Sequence, residues 1–204
     1  MNKPKWSHAF ESKDDRRKKK RMAVLRAGAW LFNERGFDRT TLDDIAEALN
    51  VTKRTLYYYV KSKDEILVQC NLRGVEMMRE LVESSQDKSL PALKRIEALL
   101  HGYFDFLSDD MGLCVVLSTD VPLAPKERET VFSERRKIDH AMRNMIRDGI
   151  EDGTIRPCDP KLTSAAIFGA LNWVPYWNRG PHAVPVETVA AAHIEFILQG
   201  LRAG

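Results

Sequence analysis

The chain has 204 residues, 44% of them hydrophobic and 30% charged, which is ordinary for a water-soluble protein and enough for one or two packed domains. No run approaches the roughly 18 consecutive apolar residues of a membrane-spanning helix. The first residues hold no apolar stretch with a cleavage site, so no secretory leader is expected. The net charge of +3 is unevenly spread: residues 1–21 carry nine Lys or Arg against three Asp or Glu, while residues 67–204 carry sixteen against nineteen.

Residues 1–15 lack clear periodicity and read as a flexible arm. The run Arg16-Arg17-Lys18-Lys19-Lys20-Arg21 comes next. Six adjacent cations repel one another, and such a run suits a polyanion or is simply solvated. From about Arg16 to Arg35, Val24, Leu25, Gly28, Leu31 and Phe32 recur at helical spacing, and Gly36 offers a C-cap. Thr41 with Asp44 approximates a capping box, with Asp where Glu or Gln is preferred. Leu42, Ile45, Ala46 and Leu49 then form the inward stripe of a short second helix. Asn50-Val51-Thr52 breaks the pattern. Asn50 is one of the few non-glycine residues that tolerates φ > 0, and Val51 is expected to plug the core beneath the turn. Lys53 to Tyr59 fits a third, very short helix capped by Thr52 and anchored by Leu56. Ser62 can cap a fourth helix from Lys63 towards Ser85.

Further along, Pro91 opens a helix to about Ser108. Leu113 to Leu117 fits a short buried helix or a strand. A long helix is expected over 126–151, stopping at Gly153. Another runs from Pro160 to about Trp177, with Pro175 predicting a kink or an early end. Pro185 precedes a last helix ending near Gly200. The expected fold is therefore all-α, with about nine helices.

Two short helices joined by a tight turn are the geometry of a helix-turn-helix, here over residues 41–60. One apolar anchor, Leu56, cannot bury Tyr57, Tyr58 and Tyr59 together, so hydroxyls and cations are left exposed, as phosphate and base-edge contacts require. Phe32, Gly36-Phe37, Thr40-Thr41-Leu42, Ile45-Ala46, Val51, Thr55-Leu56-Tyr57-Tyr58-Tyr59-Val60 and Lys61-Ser62-Lys63 resemble the DNA-binding domain of the TetR family of transcriptional regulators. Asn50 stands where that family usually has glycine, Tyr59 where histidine is frequent, and Trp30 where a polar residue is usual. The resemblance implies a DNA-binding domain over 16–66 and a ligand-binding and dimerisation domain over 67–204. It implies phosphate contacts from Thr41 and Lys63, base reading and groove contacts from Thr52, Lys53, Arg54 and Thr55, and backbone contacts from Tyr57 and Tyr59. Tyr58 fits either DNA or packing against the first helix.

The segment from Ala165 to Trp177 is apolar nearly all round, which needs a partner on more than one side. Ala190, Ile194, Ile197 and Leu201 form a stripe on the last helix. With Trp177 they are the expected interface of a homodimer built as a four-helix bundle. Gly169 to Trp173, Trp177 and Gln199 to Leu201 are similar to a TetR subgroup in which some members respond to acyl-coenzyme A thioesters of fatty-acid or steroid catabolism. The candidate lining of an apolar effector pocket is Tyr103, Phe104, Met142, Met145, Phe168 and Trp173, with methionines suited to adaptable packing. Arg135, Arg136, Arg143, Arg147 and Arg179 are the cations available for coenzyme phosphates at its mouth.

Enzyme readings find no support. The histidines are scattered, no Cys-x-x-Cys is present, and there is no glycine-rich phosphate loop or nucleophile elbow, so neither a metal nor a cofactor is expected. Cys70, Cys114 and Cys158, odd in number and far apart, argue against disulfides and for a reducing, cytoplasmic setting. The reading is a ligand-responsive repressor whose partners are operator DNA, a second copy of itself and a small hydrophobic effector, with an acyl-CoA thioester as one candidate and no membrane. The alternatives are a ligand-free architectural DNA-binding protein and a drug-efflux regulator responding to cationic hydrophobic compounds.

Overall fold

The computed structural model describes residues 12–118 and 123–204. These residues form nine helices: α1 (Lys13–Arg35), α2 (Leu42–Ala48), α3 (Lys53–Tyr57), α4 (Lys63–Ser84), α5 (Ala92–Ser108), α6 (Asp110–Leu117), α7 (Pro125–Glu151), α8 (Pro160–Trp177) and α9 (Val186–Leu201). The all-α expectation holds, and the strand alternative for 113–117 falls away because Asp109 starts a helix there. Its carboxylate accepts the N–H groups of Met111 and Gly112 at 2.9 and 3.4 Å, which satisfies two donors of the first turn. The chain divides into two units after Cys70, a point inside α4.

In the first unit, the Asp15 N–H donates to Ser12 Oγ at 3.0 Å, and α1 begins at Lys13. Residues 13–15, read from sequence as part of the arm, are thus the first turn of a helix. Residues 1–11 of that expected arm lie outside the described residues. Gly36 ends α1 with φ 85°, its N–H donating to Phe32 O. The inward stripe of α1 includes Val24, Leu25, Ala29, Leu31 and Phe32, with Gly28 set against Ile66 of α4. A Cβ on Gly28 would lie 2.5 Å from Cγ2 of the fully buried Ile66, so only glycine lets these two helices sit so near.

Thr41 and Asp44 close the capping box of α2 despite the aspartate. The Asp44 N–H donates to Thr41 Oγ1 at 3.2 Å and the Thr41 N–H donates back to Asp44 Oδ2 at 2.7 Å. The hydroxyl of Thr40, itself buried, donates to the carbonyl of Gly36 at 2.9 Å, which fixes the chain between α1 and α2. Asn50 turns the chain at φ 52°, the one positive φ outside glycine among the described residues. Val51 does not plug the core as expected; it is 39% exposed. Ile45 and Ala46 from α2, with Leu56 and Val60, fill that place instead. Asn50's left-handed turn carries the following side chain outward.

In the second unit, α5 packs against α7 and α9, and α8 packs against α7 and α6. Ile96, Leu100, Tyr103, Met142, Met145, Ile146 and Leu171 are essentially sealed from solvent. Asp159 caps α8, accepting from the N–H groups of Lys161 and Leu162 at 2.7 and 3.0 Å, with Pro160 at the first helical position. Pro175 is accommodated within α8, which stops two residues later at Trp177. The carboxyl-terminal end is tied down by Arg156 N–H to Leu201 O at 2.9 Å and Ala203 N–H to Thr154 O at 3.2 Å. No helix among the described residues is long and apolar enough to cross a membrane.

Candidate nucleic-acid interface and ligand cavity

The five residues of α3 owe their start to a local cap. Thr52 Oγ1 accepts the Thr55 N–H at 3.2 Å and shares a 2.9 Å hydrogen bond with the Thr55 hydroxyl. Leu56 is the single buried residue of the helix. With one side pinned by Leu56, Lys53, Arg54, Thr55, Tyr57 and Tyr58 are all exposed, Tyr58 by 64%. A platform of little more than one turn with that much exposed hydroxyl and cation is chemically suited to phosphate and base edges.

The cations are not equivalent. Lys53 Nζ donates to Asp43 Oδ2 at 2.7 Å, a bond that raises the ammonium's pKa and holds it on α2. Arg54 makes no ion pair among the described residues. Lys63 is engaged inside the unit. Its ammonium donates to the carbonyls of Phe37, Asp38 and Thr40 at 2.9, 3.4 and 3.3 Å and lies over the Phe37 ring. Three donors meeting three carbonyls make it a clasp on the loop between α1 and α2. Tyr58 meets α1 after all: the Arg17 guanidinium sits 5.2 Å from its ring centre, while Tyr59 packs edge-on against it. Arg21 also works internally, bridging to Glu65 at 3.0 Å and donating to the Tyr59 carbonyl. Part of the basic run therefore fastens α1 to the segment after α3.

The second unit holds a cavity of about 430 Å³ lined by Met78, Val115, Val116, Ile138, Ala165 and Phe168 on the apolar side and by Tyr103, Arg135, Asp139, Asn172 and Tyr176 on the polar side. Of the six pocket residues expected from sequence, Tyr103 and Phe168 line it. Phe104, Met142 and Met145 are core residues behind it, because α5 and α7 bury them between themselves and their neighbours. Trp173 is 61% exposed and stacks on Tyr176 at the surface of α8. Sequence reading named Tyr103 and, among five cations for the pocket mouth, Arg135, and the structure puts both in the polar wall. It missed Asp139, Asn172 and Tyr176, which no motif marks. Of the other cations, Arg136 pairs with Glu129, Arg143 with Asp139, Arg147 with Asn144, and Arg179 donates to the Pro175 carbonyl.

The expected dimer stripe also needs correction. Ile194, Ile197 and Leu201 are buried within the protomer, and Ala190 packs partly against the same core. Trp177 does lie at the surface. The face left uncovered carries Leu162, Ala166, Ala170, Trp173 and Trp177 on α8 and Ala192 and Phe196 on α9, Phe196 being 79% exposed.

A short exposed helix presented by a capped turn, in a chain whose second α-helical unit has its own cavity, defines a helix-turn-helix DNA-binding protein with a separate second domain. Comparison with known proteins agrees. Residues 24–70 match the model of bacterial regulatory proteins of the tetR family, and residues 89–201 match the tetracyclin repressor-like C-terminal domain. The chain belongs to the TetR family of DNA-binding transcriptional regulators. It is 38% identical to IcaR, the negative transcriptional regulator of the biofilm operon icaADBC in Staphylococcus aureus, over 144 residues covering 70% of this chain and 76% of that one. The ketosteroid transcriptional regulator KstR2 of Mycobacterium tuberculosis superposes with a TM-score of 0.81 at 20% identity, covering 91% and 96% of the two chains. AibR in complex with isovaleryl coenzyme A and operator DNA superposes with a TM-score of 0.73 at 22% identity, covering 86% and 96%.

Proposed function

We propose that this protein is a cytoplasmic, homodimeric repressor that leaves its operator when a small, mainly apolar effector enters the cavity of its second unit. In this reading residues 16–66 hold the operator and residues 67–204 hold the effector and the second copy. Thr41, Thr52, Arg54, Thr55, Tyr57 and Tyr59 contact DNA directly, and Lys53 joins them on exchanging Asp43 for DNA. The observation that carries the reading is the cavity of about 430 Å³, a size within the range of small-molecule sites. A ligand-free architectural protein has no use for such a space. A cationic drug is a poor occupant, because Asp139, the carboxylate of the wall, is already paired with Arg143 while Arg135 adds a guanidinium. Acyl thioesters belong among the candidates, since AibR was solved with isovaleryl coenzyme A together with operator DNA.

The dimer is proposed on the uncovered apolar face of α8 and α9. Two exposed tryptophans and an exposed phenylalanine on these two helices form a patch that a monomer rarely leaves in water. The test begins with selection of a preferred duplex from a random pool. Sedimentation of the complex should then give two chains per duplex, and a hydrophobic effector should lower retention. A monomer that binds a single half-site with full affinity, or retention that no small molecule changes, would overturn the reading.

A further inference from the structure

The cavity has a chemically distinct end. Tyr103 is sealed in the core, and its hydroxyl donates to Asn172 Oδ1, which orients the Asn172 side chain with its amide nitrogen as the donor. Arg135 reaches into the same wall from α7, and its guanidinium donates to the Val115 carbonyl at 2.5 Å and lies 5.9 Å from the Phe132 ring centre. Asp139, one turn on, also lines the cavity and is already engaged: the Ser164 hydroxyl donates to it at 2.7 Å and Arg143 pairs with it. Its negative charge is thus compensated by Arg143. Tyr176 adds a phenol to this wall, and the remaining side chains, Met78, Val115, Val116, Ile138, Ala165 and Phe168, offer only hydrocarbon and thioether. Burial lowers the Arg135 pKa, which means that its charge is held at a desolvation cost.

Resting on the effector reading above, we infer that the effector is a free carboxylic acid with a compact apolar body, its carboxylate paired with Arg135 and its body against Phe168 and Ile138. A planar guanidinium matches a carboxylate by two parallel N–H bonds, and a partly desolvated one gains more from that match than a surface arginine does. A thioester offers only a neutral carbonyl at the same place, with its anionic phosphates carried on the coenzyme. An acid places the anion inside.

Calorimetric titration of the full-length protein with matched pairs, octanoate against 1-octanol and 3-phenylpropanoate against 3-phenylpropanol, tests this at neutral pH. At least one acid should bind ten-fold or more tightly than its alcohol. Arg135→Met keeps the aliphatic stem and should erase that ratio while leaving alcohol binding within about two-fold. The wild-type ratio stands by itself should the variant fold poorly. Equal affinity of acid and alcohol in both pairs would overturn the inference, as would a ratio that survives in well-folded Arg135→Met. Binding of octanoyl-CoA without binding of either acid would also overturn it while leaving an effector-responsive repressor intact. Failure of acids, alcohols and octanoyl-CoA alike would remove the effector reading and this inference with it.

Discussion

Lys63 shows how the same residue type can serve two ends. Its three bonds to the carbonyls of Phe37, Asp38 and Thr40 close the loop that places Thr41 at the head of α2. Hydrogen bonds from a charged donor contribute roughly 1.5–3 kcal/mol each in favourable settings, and Lys63 is only half-buried, so the lower end applies to the set. Lys63→Ala should therefore lower the urea midpoint by the equivalent of roughly 1–2 kcal/mol and weaken all DNA sequences alike. Arg54→Ala should leave the urea midpoint unchanged and relax preference at one base position, at a cost of roughly 1–3 kcal/mol. A selection on randomised duplexes with both variants distinguishes them: a changed consensus with Lys63→Ala and none with Arg54→Ala would reverse the two roles. Asp43→Asn should act in the other direction. It removes the anion that holds Lys53 and repels phosphate, so binding to any duplex should tighten, measurable by fluorescence anisotropy at fixed salt.

At the scale of elements, the caps were legible because they are local chemistry. Ser62, Thr41 and Thr52 before a helical run, Pro at the first turn and Gly after the last turn put the helix ends within a few residues of where they lie. Facing was less legible. The stripe Ala190, Ile194, Ile197 and Leu201 is amphipathic in sequence, but a stripe says only that one side is buried, not whether its own protomer or a second copy buries it. In the fold α5 takes that side. Met142 and Met145 were misplaced for the same reason, since α7 turns them into the core and sends Arg135 and Ile138 to the cavity. Phe196→Glu should give a folded monomer by sedimentation, whereas Ile197→Glu should unfold the second unit, because it buries a charge with no partner of opposite sign. A dimer that survives Phe196→Glu would remove the proposed face.

The caps also predict an acid limit. The Asp44 carboxyl is held below its ordinary 3.8 first by the Thr41 hydroxyl, then by the Thr41 N–H. Asp159 is held down by the N–H groups of Leu162 and Lys161, and Asp15 by the Ser12 hydroxyl. A carboxyl depressed in the folded state stabilises it above the unfolded pKa, and that contribution is lost as pH falls through the depressed value. Helical melting temperature should thus be level from pH 7 to about 5 and fall below about pH 4. Asp44→Asn should reduce the slope of that fall; an unchanged acid limb would show that these caps do not set it.

For the whole molecule, the proposed function puts two activities in two units of one chain, and the energetics that join them are open to measurement without knowing the path. If an effector weakens operator binding by some factor, the operator must weaken effector binding by the same factor. A ligand that binds both states equally shifts nothing, however tightly it binds. Effector affinity should therefore fall when the protein is saturated with its selected duplex, by the ratio that the effector imposes on DNA affinity. Salt provides the control. The exposed Lys18, Lys19 and Lys20 on α1 add sequence-independent attraction, and each phosphate that a Lys→Gln substitution leaves unneutralised should flatten the plot of log affinity against log salt by about 0.9. Such a triple variant should bind DNA more weakly at every effector concentration and yet show the same reciprocal factor, because those lysines favour DNA without regard to the cavity. Calorimetry of effector binding with and without duplex, repeated at two salt concentrations, measures all of these quantities. Equal effector affinity for free and DNA-bound protein would mean that cavity and operator are uncoupled, whatever either one binds.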